Sequence, residues 1–428
     1  MIVPATAHLG PLLALIALAI AALEALPIAI AAWAFARADG PLAFCLGVPA
    51  LYALLEAARA GGPLGLPLAT LGATQTVGPL AITLAIGGVP LATFVALVAA
   101  ASLVFAIEAE REHRLRPRDA WGLAIAAGVA VAAIAAAAFV WHGALAARSR
   151  APLARIGIVE AGPIDVGRTF AATANDYAAA TQRLPKDVDF ALWPEGVVFL
   201  TAPDAAAQLA AVRGAARAFG RPILAGATLR VKGTLHNDVL AIDARGNVSS
   251  VYTKRRLVPF GEYQPFAIGA IHRATYGAAA AQLNAPVGIG HAAPFGALIC
   301  YEVAFPDLTR DSANAGAGFL IAVLNDTWFA GTDGPAQLAQ LLAARAIESG
   351  IAIVRVDAVP PSGAVDADGA WIGTPLTADG VAVIEPPPGI VTPFRRTGEA
   401  PYLVLLGSFA IFTLWPFARR GGTGTPVG

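Results

Sequence analysis

The sequence predicts a polytopic α-helical membrane domain joined to a layered α/β domain, and three features predict it. Charge is almost absent from residues 1–107, where only Glu24, Arg37, Asp39, Glu56 and Arg59 carry any. Uncharged runs return at Ala120–Ala147 and Ala400–Ala418. Between them, from about Ala151 to Gly398, the composition is that of a soluble domain, with short β-rich apolar runs alternating with helical stretches. The whole chain agrees. Only 14% of its 428 residues are charged, against about 25% in ordinary soluble domains. Mean hydropathy is +0.65.

These values exclude an intrinsically disordered chain, which needs low hydropathy and high net charge. With 29 basic and 29 acidic residues there is no cationic excess to neutralise phosphates, so no nucleic-acid partner is expected. The two cysteines, Cys45 and Cys300, lie too far apart in too long a chain to form a disulfide scaffold.

A helix crossing about 30 Å of hydrocarbon at 1.5 Å per residue needs about 20 apolar residues. Runs of that kind are Leu12–Phe35, Leu42–Ala58, Pro79–Ile107, Ala120–His142 and Pro401–Phe417. Gly61–Gly78 is uncharged but rich in Gly and Pro, and reads either as a further span or as an interfacial or re-entrant segment. Four or five spans therefore precede residue 145 and one closes the chain. Met1–Ala34 lacks the basic start of a signal peptide and is read as a retained span. The loop Glu108–Asp119 carries Arg111, Arg114, Arg116 and Arg118, which the positive-inside rule assigns to the cytoplasm. Ala120–His142 then leaves the cytoplasm, the middle of the chain lies outside it, and Arg419 and Arg420 return inside. The expected organisation is a helical domain over 1–145, an α/β domain over 151–398 and a last membrane helix over 400–418.

In the α/β part the apolar runs are Ala154–Val159, Phe190–Trp193, Ile223–Ala227, Val239–Ile242, Gly296–Cys300 and Phe319–Val323. Helical stretches are Arg168–Gln182, Ala205–Phe219 and Gln337–Ser349. This alternation predicts a sheet with helices outside it. The turn Asp243–Asn247 between two strand-like runs points to a hairpin, so a purely parallel sheet is not expected.

Three segments carry chemistry. Leu192–Gly196 holds Glu195 at the end of an apolar run; Tyr252–Tyr263 holds Lys254 and Glu262; Ala297–Asp307 holds Cys300 at a strand end, followed by Tyr301 and Glu302. A carboxylate, a lysine and a cysteine at three strand ends are the parts of a thiol nucleophile site, because a thiol needs a base and a cation to attack a carbonyl. Each has a plainer alternative. Cys300 fits a buried core thiol, Lys254 beside Arg255 and Arg256 fits a solvated basic patch, and Glu195 after Trp-Pro fits a helix N-terminal charge. No cofactor and no metal is called for.

The segments KRRLVPFGEY (Lys254–Tyr263), LICYEVAFP (Leu298–Pro306), NDTWF (Asn325–Phe329), RAIESG (Arg345–Gly350) and TPFRRTG (Thr392–Gly398) resemble the Glu-Lys-Cys motifs of the nitrilase, or carbon-nitrogen hydrolase, superfamily. Within it they are most similar to apolipoprotein N-acyltransferases, membrane enzymes of bacterial lipoprotein maturation. The resemblance covers about residues 60–418. It implies a four-layer αββα domain on the periplasmic side of the inner membrane. It implies Glu195 as general base, Lys254 as transition-state stabiliser and Cys300 as nucleophile. Glu262, Glu302 and Tyr301 would support them, and Trp328, Phe260 and Phe329 would line the acyl or substrate path. The implied partners are a phospholipid acyl donor, a lipoprotein N-terminus as acceptor and the membrane itself.

The chain departs from the family pattern at Gly196, where Thr or Ser is usual, and at Gln337-Leu338, where Gln-His is usual. Arg355–Pro360 (RVDAVP) stands for Arg-Ala-Thr-Asn-Thr-Gly, and Glu160–Gly162 (EAG) for Gln-Gly-Asn. Three other readings share the motifs: a shortened TraB-like conjugal transfer protein, a membrane-tethered amide hydrolase, and an envelope assembly factor that keeps the fold without the chemistry.

Overall fold

The computed structural model describes residues 10–37, 41–61, 65, 67–68, 70–111, 134–149, 151–162, 164, 168–259, 261–263, 276–278 and 286–420. The chain divides into two compact units, Ala147–Val391 and the residues on either side of it.

The flanking unit is helical, with helices Gly10–Phe35, Val48–Gly61, Ala81–Arg111 and Ala400–Arg420 and a π-helical turn at Ala43–Gly47. Among the described residues, Ala43–Gly61 and Ala81–Glu108 are long and apolar enough to cross a membrane. The second of these breaks at Gly88 (φ 71°, ψ −168°), two residues before Pro90. Glycine supplies the left-handed backbone, and proline withholds a helical donor at the same bend. Most of the expected span Ala120–His142, and of the arginine-rich loop before it, lies outside the described residues; a helix resumes at Ile134–Ala147. Among its described residues Gly61–Gly78 forms no spanning helix. Its only helical turn among the described residues is the 3-10 turn Gly72–Thr74. The Gly72 N–H donates to Thr93 Oγ1 at 2.8 Å, and the Leu71 N–H to Glu56 Oε1 at 2.8 Å. A Cβ at position 72 would meet the Val89 carbonyl at 2.2 Å, so glycine is what lets this segment lie against the helix. Glu24, another acidic group of the apolar region, pairs with Arg59.

In the central unit, β1 (Ile156–Glu160), β2 (Phe190–Phe199), β3 (Ile223–Val231), β4 (Thr234–Ile242), β5 (Val248–Thr253) and β10 (Gly380–Ile384) form one sheet in the order β10-β1-β2-β3-β4-β5. The other sheet is β6 (Phe295–Ile299), β7 (Phe319–Leu324), β8 (Ala352–Asp357) and β9 (Gly363–Val365), in chain order. β1–β2–β3 and β6–β7–β8 pair in parallel, while β10, β4, β5 and β9 pair antiparallel, so both sheets are mixed as the hairpin signal required. Lys232 (φ 47°) and Gly233 (φ 88°) make the two-residue turn between β3 and β4, the geometry that suits the twist of a hairpin.

Burial explains the apolar runs. One core joins the facing sides of the two sheets, with Ile156, Phe190 and Leu224 packed with Phe295, Phe319 and Val354. A second core lies between the larger sheet and helices Phe170–Thr181 and Ala205–Phe219, through Tyr177, Trp193, Val212 and Phe219. Strands covered on both faces need no polar alternation, which is why β1, β6 and β7 read as apolar runs; β8 is buried throughout as well but carries the paired Arg355 and Asp357. Helices Pro306–Asn314 and Gly334–Ser349 follow β6 and β7, and the four-layer αββα order is complete.

Candidate active site

Glu195 does not end a strand and caps no helix. It lies within β2, where pairing with β3 slips between Trp193 and Val198. The slip pushes the Glu195 backbone onto β3, and a Cβ on Gly226 would meet Glu195 Cα at 2.4 Å. Only glycine permits that approach. Gly196 beside it has φ +78°, a left-handed state that glycine takes freely.

Lys254 follows β5 directly, and its N–H donates to the Asn237 carbonyl at 2.8 Å. Its side chain is 1% exposed, so it is not part of a solvated patch. Arg255 and Arg256 instead turn to Asp311 (3.4 Å) and Asp307 (2.8 Å). Lys254 Nζ donates to Glu262 Oε1 at 2.8 Å and lies 3.5 Å from Glu195 Oε1. The Glu262 side chain is held by its own turn, through the Val258 N–H to Oε2 at 2.8 Å.

β6 ends at Ile299, one residue before the expected strand end. Cys300 opens the 3-10 turn Cys300–Ala304 with φ +51°. A non-glycine residue in that region costs about 1–3 kcal/mol and persists only where its surroundings over-determine it. They do here. The buried Glu302 carboxylate accepts from the N–H groups of Ile299 (2.8 Å), Arg255 (2.6 Å) and Arg256 (3.0 Å). Arg345, ion-paired with Glu348, donates to the Ala304 carbonyl at 2.7 Å. The Cys300 thiol is within hydrogen-bonding reach of Glu195.

The structure therefore brings Glu195, Lys254, Glu262 and Cys300 together, with Glu302 one layer behind. Tyr301 is buried and meets Phe305 edge-on, with ring centres 4.8 Å apart. Phe329 lies against Gly334 at the start of a helix, and Trp328 belongs to the 3-10 turn Asp326–Phe329. Phe260 is outside the described residues.

Burial pushes the Glu195 carboxyl above the ordinary carboxylate range; Lys254 and Asn237 pull it down and Glu262 pushes it up. Burial and the Glu195 charge push the Cys300 thiol well above 9, so it rests as a neutral thiol. Burial opposes the charge on Lys254, but Glu195 and Glu262 outweigh it and hold the ammonium firmly protonated. This set of groups can move a proton from thiol to carboxylate while a fixed cation faces them.

Sequence reasoning missed two features. The first is Asn237 in β4, whose Nδ2 donates to Glu195 Oε1 at 2.5 Å and lies 3.3 Å from Glu262 Oε1. Its signal was available: His236-Asn237-Asp238 interrupts a strand that burial would otherwise make apolar. The second joins two of the departures from the family pattern. Arg355 pairs with Asp326 (2.8 Å) and with Asp357, and the Asp326 N–H donates to Asp357 Oδ1 at 3.0 Å. Glu160 faces the same cluster, with burial pushing its carboxyl up to about 7.

Comparison with known proteins fits this architecture. The carbon-nitrogen hydrolase family profile matches residues 155–389, more than half of the chain, and the chain belongs to that family. The profile of the apolipoprotein N-acyltransferase N-terminal domain matches residues 2–102, so the two family matches fall on successive parts of one chain. The resemblance read from KRRLVPFGEY and LICYEVAFP is borne out. The chain is similar to the apolipoprotein N-acyltransferase of Caulobacter vibrioides, with 34% identity over 55% of this chain and 47% of that one, so the match spans about half of that relative. It is similar to the enzyme of that name from Pseudomonas aeruginosa (strain PAO1), with 28% identity over 96% of this chain and 79% of the relative. Among solved structures it is similar to an amidase from Nesterenkonia sp. AN1, with 21% identity over 58% of this chain and 98% of that one and a TM-score of 0.44.

Proposed function

We propose that this protein is a membrane-embedded acyltransferase that moves a fatty acyl chain from a phospholipid, through a thioester on Cys300, to the N-terminal amine of a lipoprotein. The observation that carries the reading is the cluster of the half-buried Cys300 thiol with the buried Glu195 and Lys254, in a chain whose residues 2–102 match the N-terminal domain of apolipoprotein N-acyltransferases.

In the first half-reaction the Cys300 sulfur attacks the ester carbonyl and its proton passes to Glu195. Lys254 balances the charge that develops on the carbonyl oxygen. The tetrahedral adduct collapses as the carbon–oxygen bond breaks, and the proton on Glu195 goes to the departing lysophospholipid oxygen. In the second half-reaction the amine attacks the thioester and gives a proton to Glu195; the carbon–sulfur bond breaks as the amide forms, and that proton returns to the sulfur to restore the thiol. A covalent nucleophile divides one difficult transfer into two easier ones. Because Cys300 rests as a thiol, Glu195 acts during attack rather than on a preformed thiolate.

The four arginines of Glu108–Asp119 favour a cytoplasmic loop, and with it a catalytic domain on the periplasmic side of the inner membrane. The apolar helices suit a substrate and a product that are both held in lipid. The relatives named above favour this reading over a conjugal transfer role.

Purified protein incubated with phospholipid alone tests it. An acyl adduct on Cys300 should accumulate, be visible by intact-protein mass spectrometry, and be removed by neutral hydroxylamine. A diacylglyceryl peptide with a free amine should discharge it, and an N-acetylated peptide should not. Rapid release of free fatty acid without amine dependence would instead identify a hydrolase.

A further inference from the structure

Two nitrogen atoms touch the same two carboxylate oxygens, with the order of closeness reversed. Lys254 Nζ is 2.8 Å from Glu262 Oε1 and 3.5 Å from Glu195 Oε1. Asn237 Nδ2 is 2.5 Å from Glu195 Oε1 and 3.3 Å from Glu262 Oε1. The orientation of the amide is set by chemistry, because its oxygen cannot face two carboxylate oxygens. Asn237 Oδ1 is left buried without a hydrogen-bond partner among the described residues. The main-chain carbonyl of the same residue receives the Lys254 N–H at 2.8 Å, so Asn237 contacts Glu195, Glu262 and Lys254.

We propose that Asn237 is a positioning residue, a neutral donor that bridges Glu195 to Glu262 and holds the Glu195 carboxylate ionised and facing Cys300. The distinction matters for basicity. An ammonium in close contact would stabilise the charged carboxylate strongly and make it a poor proton acceptor. A neutral amide stabilises the same oxygen by a smaller amount, enough to keep Glu195 ionised while leaving it basic enough to accept the Cys300 proton; Lys254 is paired with Glu262 at 2.8 Å. The inference rests on Glu195 being the base for Cys300. It does not rest on the identity of the acyl donor.

The test needs no phospholipid. The rate of Cys300 alkylation by iodoacetamide is followed against pH in the full-length protein, with peptide mass spectrometry separating Cys300 from Cys45. Asn237→Ser keeps one donor, Asn237→Ala keeps none, and Asn237→Asp keeps the shape but replaces the donors with a charge. Loss of donors favours protonated Glu195, so the acid limb of the profile should move to higher pH, least in Ser, further in Ala and most in Asp. The Ala shift is expected at about one pH unit, which is about a tenfold lower rate on the acid limb. In a Glu195→Gln background the same substitutions should produce no further shift. A folded Ala variant with an unmoved limb overturns the proposal, as does a shift confined to the Asp variant or failure of all three variants to fold. Wild-type protein that is not acylated by phospholipid, but whose limb moves as described, would sink the acyl-donor reading and leave the role of Asn237 standing.

Discussion

The Tyr252 hydroxyl donates to Glu302 Oε2 at 2.8 Å, and this bond ties the strand that leads into Lys254 to the turn that begins with Cys300. With three main-chain N–H groups on the same carboxylate, the loop of the cation and the turn of the nucleophile share one buried acceptor.

Replacing Glu302 with Gln swaps one accepting oxygen for an NH₂ that faces donors. We expect a loss of about 3 kcal/mol, against about 1 kcal/mol for Tyr252→Phe, which removes a single bond. Denaturant unfolding in detergent measures both. Equal effects from the two variants would mean that the main-chain bonds carry no weight.

Lys254→Met should lower the acylation rate by about 10²–10³ through loss of the charge at the developing oxyanion. It also leaves Glu195 and Glu262 without their shared cation. The deficit in melting temperature should therefore shrink as pH falls, since protonating either carboxylate relieves the repulsion. A rate loss below tenfold would count against the assigned role.

Because burial raises the Glu195 carboxyl above its usual 4.5, the acid limb of the acylation rate should lie above that value, with activity falling as pH drops through it. Glu195→Gln should abolish acylation across the range. A limb at or below 4.5 would place the base elsewhere.

Glu160 gives a pH effect on stability with the sign set by its shift. Its carboxyl titrates at about 7 in the folded chain and near 4.5 when unfolded, so folding favours the protonated form. That contribution is complete below about 4.5, declines as pH rises, and is gone above about 7. Glu160→Gln cannot ionise, so its melting temperature should match or trail wild type at pH 4 and exceed it at pH 8. A constant difference between the two proteins at all pH values would refute the assignment.

Much of this architecture was legible in the residues. Strands covered on both faces print as apolar runs, so β1, β6 and β7 were located to within two residues. The chemistry at Cys300, Lys254 and Glu195 was legible as residue types but not as geometry. Whether Lys254 points inward or joins Arg255 and Arg256 depends on carboxylates that arrive from β2 and from the turn at Glu262. Asn237 was missed because its strand was read only from Val239, where the polar run ends. Glu160 and Asp357 looked like unrelated departures; they meet because β1 and β8 lie in facing sheets, a long-range fact that no local pattern encodes.

Gly226 has no functional group and sits on the strand beside the one that carries Glu195, yet the shape of the site depends on it. Any side chain there would strike the Glu195 backbone. Alanine scanning would score Gly226→Ala as a catalytic defect, although nothing at that position ever meets a substrate. A designer who wished to relocate the base would have to rebuild two strands together, because the available room is defined by an atom that is missing from one and a bulge that is present in the other. The reactivity of this site is in that sense inherited from the sheet, and mutational routes to a different chemistry are narrow before any substrate contact is considered.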